Sequence, residues 1–346
     1  MKTFKLLTVL LVLSFVSAGW AKAEEKVKEY HESWLVGNVS TLEISNKFGE
    51  IKINNNVGDS VTIDVKVTVE AANEKRTEEL LDLIEVNFSK SGSTVKAETE
   101  IGSDFKSQKR FSIDYVVNIP SDKNLVIENK YGNTIVNKLT GNGDFNIKYG
   151  NFTASELMTP ASGSLSVELA YGNGTIGKAS DINVDVSYSP MTIDELNSLK
   201  LESKYSSLEV EDAGTMVINS KYDKFNFGNV ESVDANFKYS NLKIERLSKN
   251  LDIESGYGGV KVEEVVAGFE SINITNSYGQ IALGLGNASY SIDANCDYCG
   301  IDYPEEEFTG DRIKENNTRT IKGKVGKGDG GKVYVRSRYG EIKLRY

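Results

Sequence analysis

An aromatic residue, usually with a small one after it, recurs through most of this chain: Phe48, then Tyr131, Tyr149, Tyr171, Tyr188, Tyr205, Tyr222, Tyr239, Tyr257, Tyr278, Tyr298 and Tyr339. From Tyr131 to Tyr298 the intervals are 18, 22, 17, 17, 17, 17, 18, 21 and 20 residues; the last, to Tyr339, is 41 and has room for two repeats. So short a period restricts the fold severely. A unit of two short strands cannot bury an apolar face alone, so neighbouring units must stack into one continuous core.

Residues two, four and six positions before the aromatic alternate with polar ones in the two-residue period of a strand. Phe145 and Ile147 precede Tyr149, Leu165, Val167 and Leu169 precede Tyr171, and Ile182, Val184 and Val186 precede Tyr188. The aromatic continues that alternation, which predicts that it points inward. A second inward pair stands three and five residues after it, as in Leu208 and Val210, Phe225 and Phe227, or Leu242 and Ile244. Each repeat thus reads strand, tight turn, strand, return. The predicted fold is all-β: a parallel β-helix, or β-solenoid, of short 17–22-residue coils. Coils about 4.8 Å apart place ring over ring as an internal ladder, each pair worth roughly 0.5–1.5 kcal/mol beyond its buried area. The Gly or Ser after most of the rings marks a sharp corner.

Polar residues sit two before the ring at Asn46, Asn129, Ser203, Ser220, Ser255, Asn276 and Ser337, where they can satisfy corner backbone groups. Outward positions carry acids three before the ring (Glu128, Glu168, Asp185, Glu202, Glu254) and lysines one before it (Lys130, Lys148, Lys204, Lys221, Lys238). Such a mixed-charge face keeps a long sheet soluble and opposes edge pairing.

The ends differ from the repeats. Lys2 and Lys5 precede an apolar run from Leu6 to Val16 and then Ala21-Lys22-Ala23, the pattern of a signal peptide over residues 1–23. The run is too short to span a bilayer, which takes about 20 residues, and no later segment is apolar enough to do so. The expected location is therefore the periplasm, the outer-membrane surface or the exterior. Residues 24–120 read as capping strands with one helix: 60–70 alternates as a longer strand, 73–87 has helical spacing at Leu80, Leu81 and Ile84 behind Asn73 as a cap, and 94–101 and 111–119 read as strands. Residues 121–346 are assigned to the solenoid.

Few chemistries are open to this composition. The formal charge is −10, and loss of the three lysines of residues 1–23 leaves −13, a surface that repels nucleic acid and anionic lipid. His31 is the single histidine, which closes off Ser-His-Asp and Cys-His catalysis and most zinc sites. Cys296 and Cys299 form a C-x-x-C within a strand-like repeat, readable as a local disulfide or as two idle thiols. Residues 326–332, GKGDGGK, spell most of a phosphate loop, but Val333 stands where Ser or Thr must hold magnesium and a strand follows instead of a helix. Asp293, Asp297 and Asp302 are the candidate oxygen ligands for calcium. A hydrolase or lyase on a β-helix would need paired carboxylates, for which Asp234, Asp252 and Asp293 are the candidates. No cofactor is implied.

The stretch FSIDYVVNIPSDKNLVIENKYGNTIVNKLTGNG (111–143), with its strand ending in Pro120 and its Tyr131-Gly132 corner, and the closing GKVGKGDGGKVYVRSRYGEIKLRY (323–346) resemble the "putative adhesin" families of exported bacterial proteins, particularly those of Bacteroidetes. These are related to the head domain of auto-transporter adhesins. The resemblance implies a β-solenoid at the cell envelope and has no catalytic residues to carry over; the expected role is a rigid, non-enzymatic surface module that binds a glycan or protein partner along its flat sides. A carbohydrate-active enzyme and an envelope-stress signalling component are the alternatives.

Overall fold

The computed structural model describes residues 24–55 and 58–344, so the predicted signal peptide lies outside the described residues. The chain is a β-solenoid of about nine turns. Every coil contributes one strand before the aromatic and one after it, and equivalent strands of successive coils pair in parallel. In the middle of the stack residue n pairs with residue n+17 without interruption, as in Leu201 with Ile218 and Ile218 with Ala235. An unbroken register of this kind follows from the constant coil length. It sets like residues directly above one another.

Longer intervals do not disturb the ring column, because the extra residues loop out at the corner opposite the aromatic, at 158–164, 266–270 and 284–289. The single added residue of the Tyr239 coil is absorbed as a register shift between Val230 and Ser232. Interior positions follow the alternation: in the Tyr205 coil Leu199, Leu201, Leu208 and Val210 are all buried. Each such aliphatic side chain withdrawn from water contributes roughly 1.5–3 kcal/mol.

Within the predicted helix only Glu74–Leu81 is helical, with the Asn73 side chain accepting a hydrogen bond from the Arg76 amide. The remainder, expected to continue helical to 87, is the strand Ile84–Ser91. Its alternation Ile84, Val86, Phe88 lets it pair antiparallel with Thr94–Ile101, and that tertiary pairing prevails over weak helical spacing.

Residues 24–120 do not form a cap alone. Thr41–Lys47 and Ile51–Asn54, around Phe48, make a complete coil that stacks in parallel on Asn124–Lys130 and Thr134–Leu139. Outside that coil lie Thr94–Ile101 and Phe111–Asn118, then the antiparallel strands Ser60–Ala71 and Glu24–Leu35.

The other end repeats this plan in reverse and overturns the expectation that coils stack in chain order. The coil of Tyr339, last in sequence, is inserted between the Tyr278 and Tyr298 coils: Gly331–Arg338 pairs in parallel with Ser271–Tyr278 on one side and Tyr290–Asp297 on the other. The long interval before Tyr339 holds an antiparallel hairpin, Phe308–Glu315 with Thr318–Val325, instead of a second turn of the repeat. Antiparallel strands end a parallel stack because they can present a charged outer edge; Asp311, Arg312, Lys314 and Glu315 stand exposed on the final one.

Candidate functional site

The aromatic residues stand outside the core, contrary to the inward placement that the alternation predicts. Their eleven contacts join twelve rings, Phe48 to Tyr298, at centroid separations of 4.6–5.1 Å and interplanar angles of 1–21°. The eleven tyrosines remain 43–57% exposed. The cause lies in the backbone. Phe48 and nine of the tyrosines adopt φ between 53° and 65°, the left-handed region. One left-handed residue breaks the two-residue alternation, so the ring turns out and the following residue turns in. Ser189, Asp223 and Ser240, each directly after a tyrosine, are accordingly buried. At Tyr257 and Tyr278 the next residue takes the positive φ instead, Gly258 at 144° and Gly279 at 147°.

A left-handed non-glycine residue costs about 1–2 kcal/mol. Stacking of about 0.5–1.5 kcal/mol per pair, with half of each ring's area withdrawn from water, offsets that cost only when rungs lie on both sides. The ladder is thus a property of the stack and not of any one coil.

Two hydrogen-bond ladders hold the corners. In Tyr-Gly-Asn coils the asparagine caps the coil above: Asn151 N donates to Asn133 Oδ1 and Asn173 N to Asn151 Oδ1, both at 3.0 Å. In Tyr-Ser and Tyr-Asp coils the side chain after the ring does so: Gly172 N donates to Ser189 Oγ (3.1 Å), Ser189 N to Ser206 Oγ (3.2 Å), Ser206 N to Asp223 Oδ1 (2.6 Å) and Asp223 N to Ser240 Oγ (3.0 Å). Three of the polar residues two before the ring secure the same corners from within. Asn129 Nδ2 donates to the Gly49 and Asn133 carbonyls, Asn276 Nδ2 to those of Gly258 and Gly279, and Ser337 Oγ to that of Gly340.

Asp223 is the residue that sequence reasoning missed, though Tyr-Asp at 222–223 interrupts a column of Tyr-Gly and Tyr-Ser. Burial pushes its carboxyl above the usual range, against the opposing hydrogen bonds from Ser220 Oγ and the Ser206 amide. The folded state therefore holds this proton more tightly than the unfolded chain, and stability falls as pH rises from the ordinary carboxylate pKa through the raised one. Asp223→Ser, which restores the hydroxyl of the neighbouring coils, is expected to melt higher than the parent at pH 7, with the gap closing toward pH 3. Thermal unfolding across that range measures it, and a gap independent of pH would sink the assignment.

The remaining candidates are dispersed. Cys296 and Cys299 are joined in a disulfide across the Tyr298 corner, with Cα atoms 5.4 Å apart. Asp234 and Asp252 are register partners on adjacent coils, whereas Asp293 lies three strands further along the same column, beyond Asn273 and Tyr334. Asp293 is tied to Arg336 at 2.8 Å, and Asp297 accepts from Thr318 Oγ1 at 2.6 Å. The structure does not bring Asp293, Asp297 and Asp302 together, and among the described residues no three His, Cys, Asp or Glu side chains are placed to share a metal ion. His31 Nδ1 lies 2.6 Å from Asp64 Oδ1 on the antiparallel strands of the N-terminal end.

What the ladder can do chemically follows from how its rings lie. Each interior ring has both faces covered by its neighbours, so sugars and bases cannot stack on those faces; the row offers ring edges and phenol hydroxyls at a repeat near 5 Å. No helix among the described residues is long and apolar enough to cross a membrane.

No protein-family model matches the sequence, nor does any curated protein. Solved structures similar to the chain include a "putative adhesin" of Parabacteroides distasonis (12% identity, 74% of this chain and 97% of that one, TM-score 0.41), a "putative adhesin" of Parabacteroides merdae (11%, 75% and 97%, TM-score 0.36) and a "putative cell adhesion protein" of Clostridium sporogenes (10%, 92% and 99%, TM-score 0.21). The chain is thus similar to bacterial structures described as adhesins, at identities too low to carry a function across.

Proposed function

We propose that the protein is an exported, non-enzymatic binding module of the cell envelope that contacts a glycan or protein partner along its aromatic corner. The supporting observation is the continuous row of half-exposed rings. A long stripe of partly apolar surface on a soluble chain is the usual mark of an interaction site, and a solenoid turns one contact per coil into an extended surface that gains affinity by repetition.

The test uses the purified protein on a glycan array and against intact cells of its own species. It is paired with Tyr205→Gly, Tyr222→Gly and Tyr239→Gly combined, since glycine keeps the left-handed corner accessible while removing the rings. Binding that falls at least tenfold in the triple variant supports the proposal. Release of reducing ends from a bound polysaccharide, or binding indifferent to the rings, overturns it.

A further inference from the structure

We infer that the face beside the ladder at Tyr205, Tyr222 and Tyr239 is a binding site for a linear acidic polysaccharide. This deepens the reading just given and rests on it. The observation is a column of like charge: Lys204 pairs in register with Lys221, and Lys221 with Lys238, so three ammonium groups rise from adjacent strands. Like charges directly opposite one another on a sheet are unfavourable. Two other lysines of the same column are neutralised, Lys130 by Glu128 at 2.9 Å and Lys148 by Glu168 at 2.7 Å.

Here the neutralising position, three before the ring, holds Asn219 and Asn236 in two of the three coils. Among the described residues these three lysines make no ion pair, on a protein whose net charge is −10. All three line one open groove of about 460 Å³ on this face, together with both asparagines.

The chemistry of the groove selects the ligand. In-register lysines on strands about 4.8 Å apart match a polymer bearing one anionic group per repeat at comparable rise, and a sugar chain extended along the stack has that rise. Asn236 and the neighbouring phenol hydroxyls offer hydrogen bonds to sugar hydroxyls, while Asn219 Nδ2 donates to Glu202 Oε1 at 2.9 Å and leaves its Oδ1 to accept. Asp185 and Glu202 on the same groove disfavour a polymer as charge-dense as nucleic acid, and the covered ring faces deny bases the stacking on which single-strand binding depends. A chain of moderate charge density that carries carboxylates or sulfates is what remains.

The experiment measures binding of the purified protein to alginate, kappa-carrageenan (one sulfate per disaccharide), neutral dextran, polyglutamate and single-stranded DNA at low and moderate salt. Expected is salt-sensitive binding to alginate, kappa-carrageenan or both, the two arms separating carboxylate from sulfate, with none to neutral dextran. The combined Lys204→Gln, Lys221→Gln and Lys238→Gln variant should lose at least tenfold, while Lys75→Gln, Lys106→Gln and Lys109→Gln, an equal change of charge in the N-terminal region, should lose less than twofold. Because the column is self-repulsive, the first variant should melt no lower than the parent, which separates lost binding from lost folding. Failure of both acidic polysaccharides to bind, equal losses in the two variants, or equal binding of polyglutamate or DNA overturns the inference. Should the array detect a partner whose binding the lysine variant leaves intact, the envelope-module reading stands and this inference alone falls.

Discussion

Removing residues 331–346 is expected to release the whole C-terminal end of the stack while leaving its middle folded. That segment fills the gap between the Tyr278 and Tyr298 coils, and Val333, Val335, Ile342 and Leu344 are buried within it. Four aliphatic side chains at about 1.5–3 kcal/mol each put the burial lost at roughly 6–12 kcal/mol, before counting two rows of parallel strand pairing. Residues 290–325 would then keep only their own antiparallel pairing, with no coil of the stack to rest on. Hydrogen exchange should show protection collapsing over 271–325 and persisting over 131–240, because repeat units depend chiefly on their nearest neighbours. Undiminished protection at 290–297 in the truncated chain would show that the inserted coil is not what holds the end.

Gly172→Ala is expected to cost about 3 kcal/mol, a large value for one methyl group, through overpacking. A Cβ at Gly172 would stand 1.8 Å from the Gly150 carbonyl oxygen of the coil below. The obstacle is backbone, which cannot swing aside as a side chain can. Ser189→Gly, at the same place one coil on, should cost only about 1 kcal/mol, the hydroxyl that accepts from Gly172 N. Urea unfolding of the two variants compares them directly, and equal losses would mean that close approach of successive corners does not limit this stack.

The contrast between these two positions shows how much of the site the sequence contained. Glycine and serine after a tyrosine look interchangeable along the chain, yet they belong to two different corner ladders, one capped by asparagine at the next position and one by the serine hydroxyl itself. Tyr-Gly-Asn and Tyr-Ser are distinguishable once that chemistry is known. The run Lys204, Lys221, Lys238 was equally legible as a column, but that it goes unneutralised emerged only when partners across coils could be compared.

The sequence by itself determined the coil length, the identity of the apolar interior residues of the strands and the position of every aromatic corner, since each follows from a short-range period: the two-residue alternation of a strand and the recurrence of one turn. Tertiary structure alone decided which way the rings face and in what order the last coils stack. The first depends on the sign of one φ angle, which a pattern of apolar and polar residues does not specify. The second depends on which of several equivalent parallel edges a strand finds, and that choice is settled by contacts far apart in the chain.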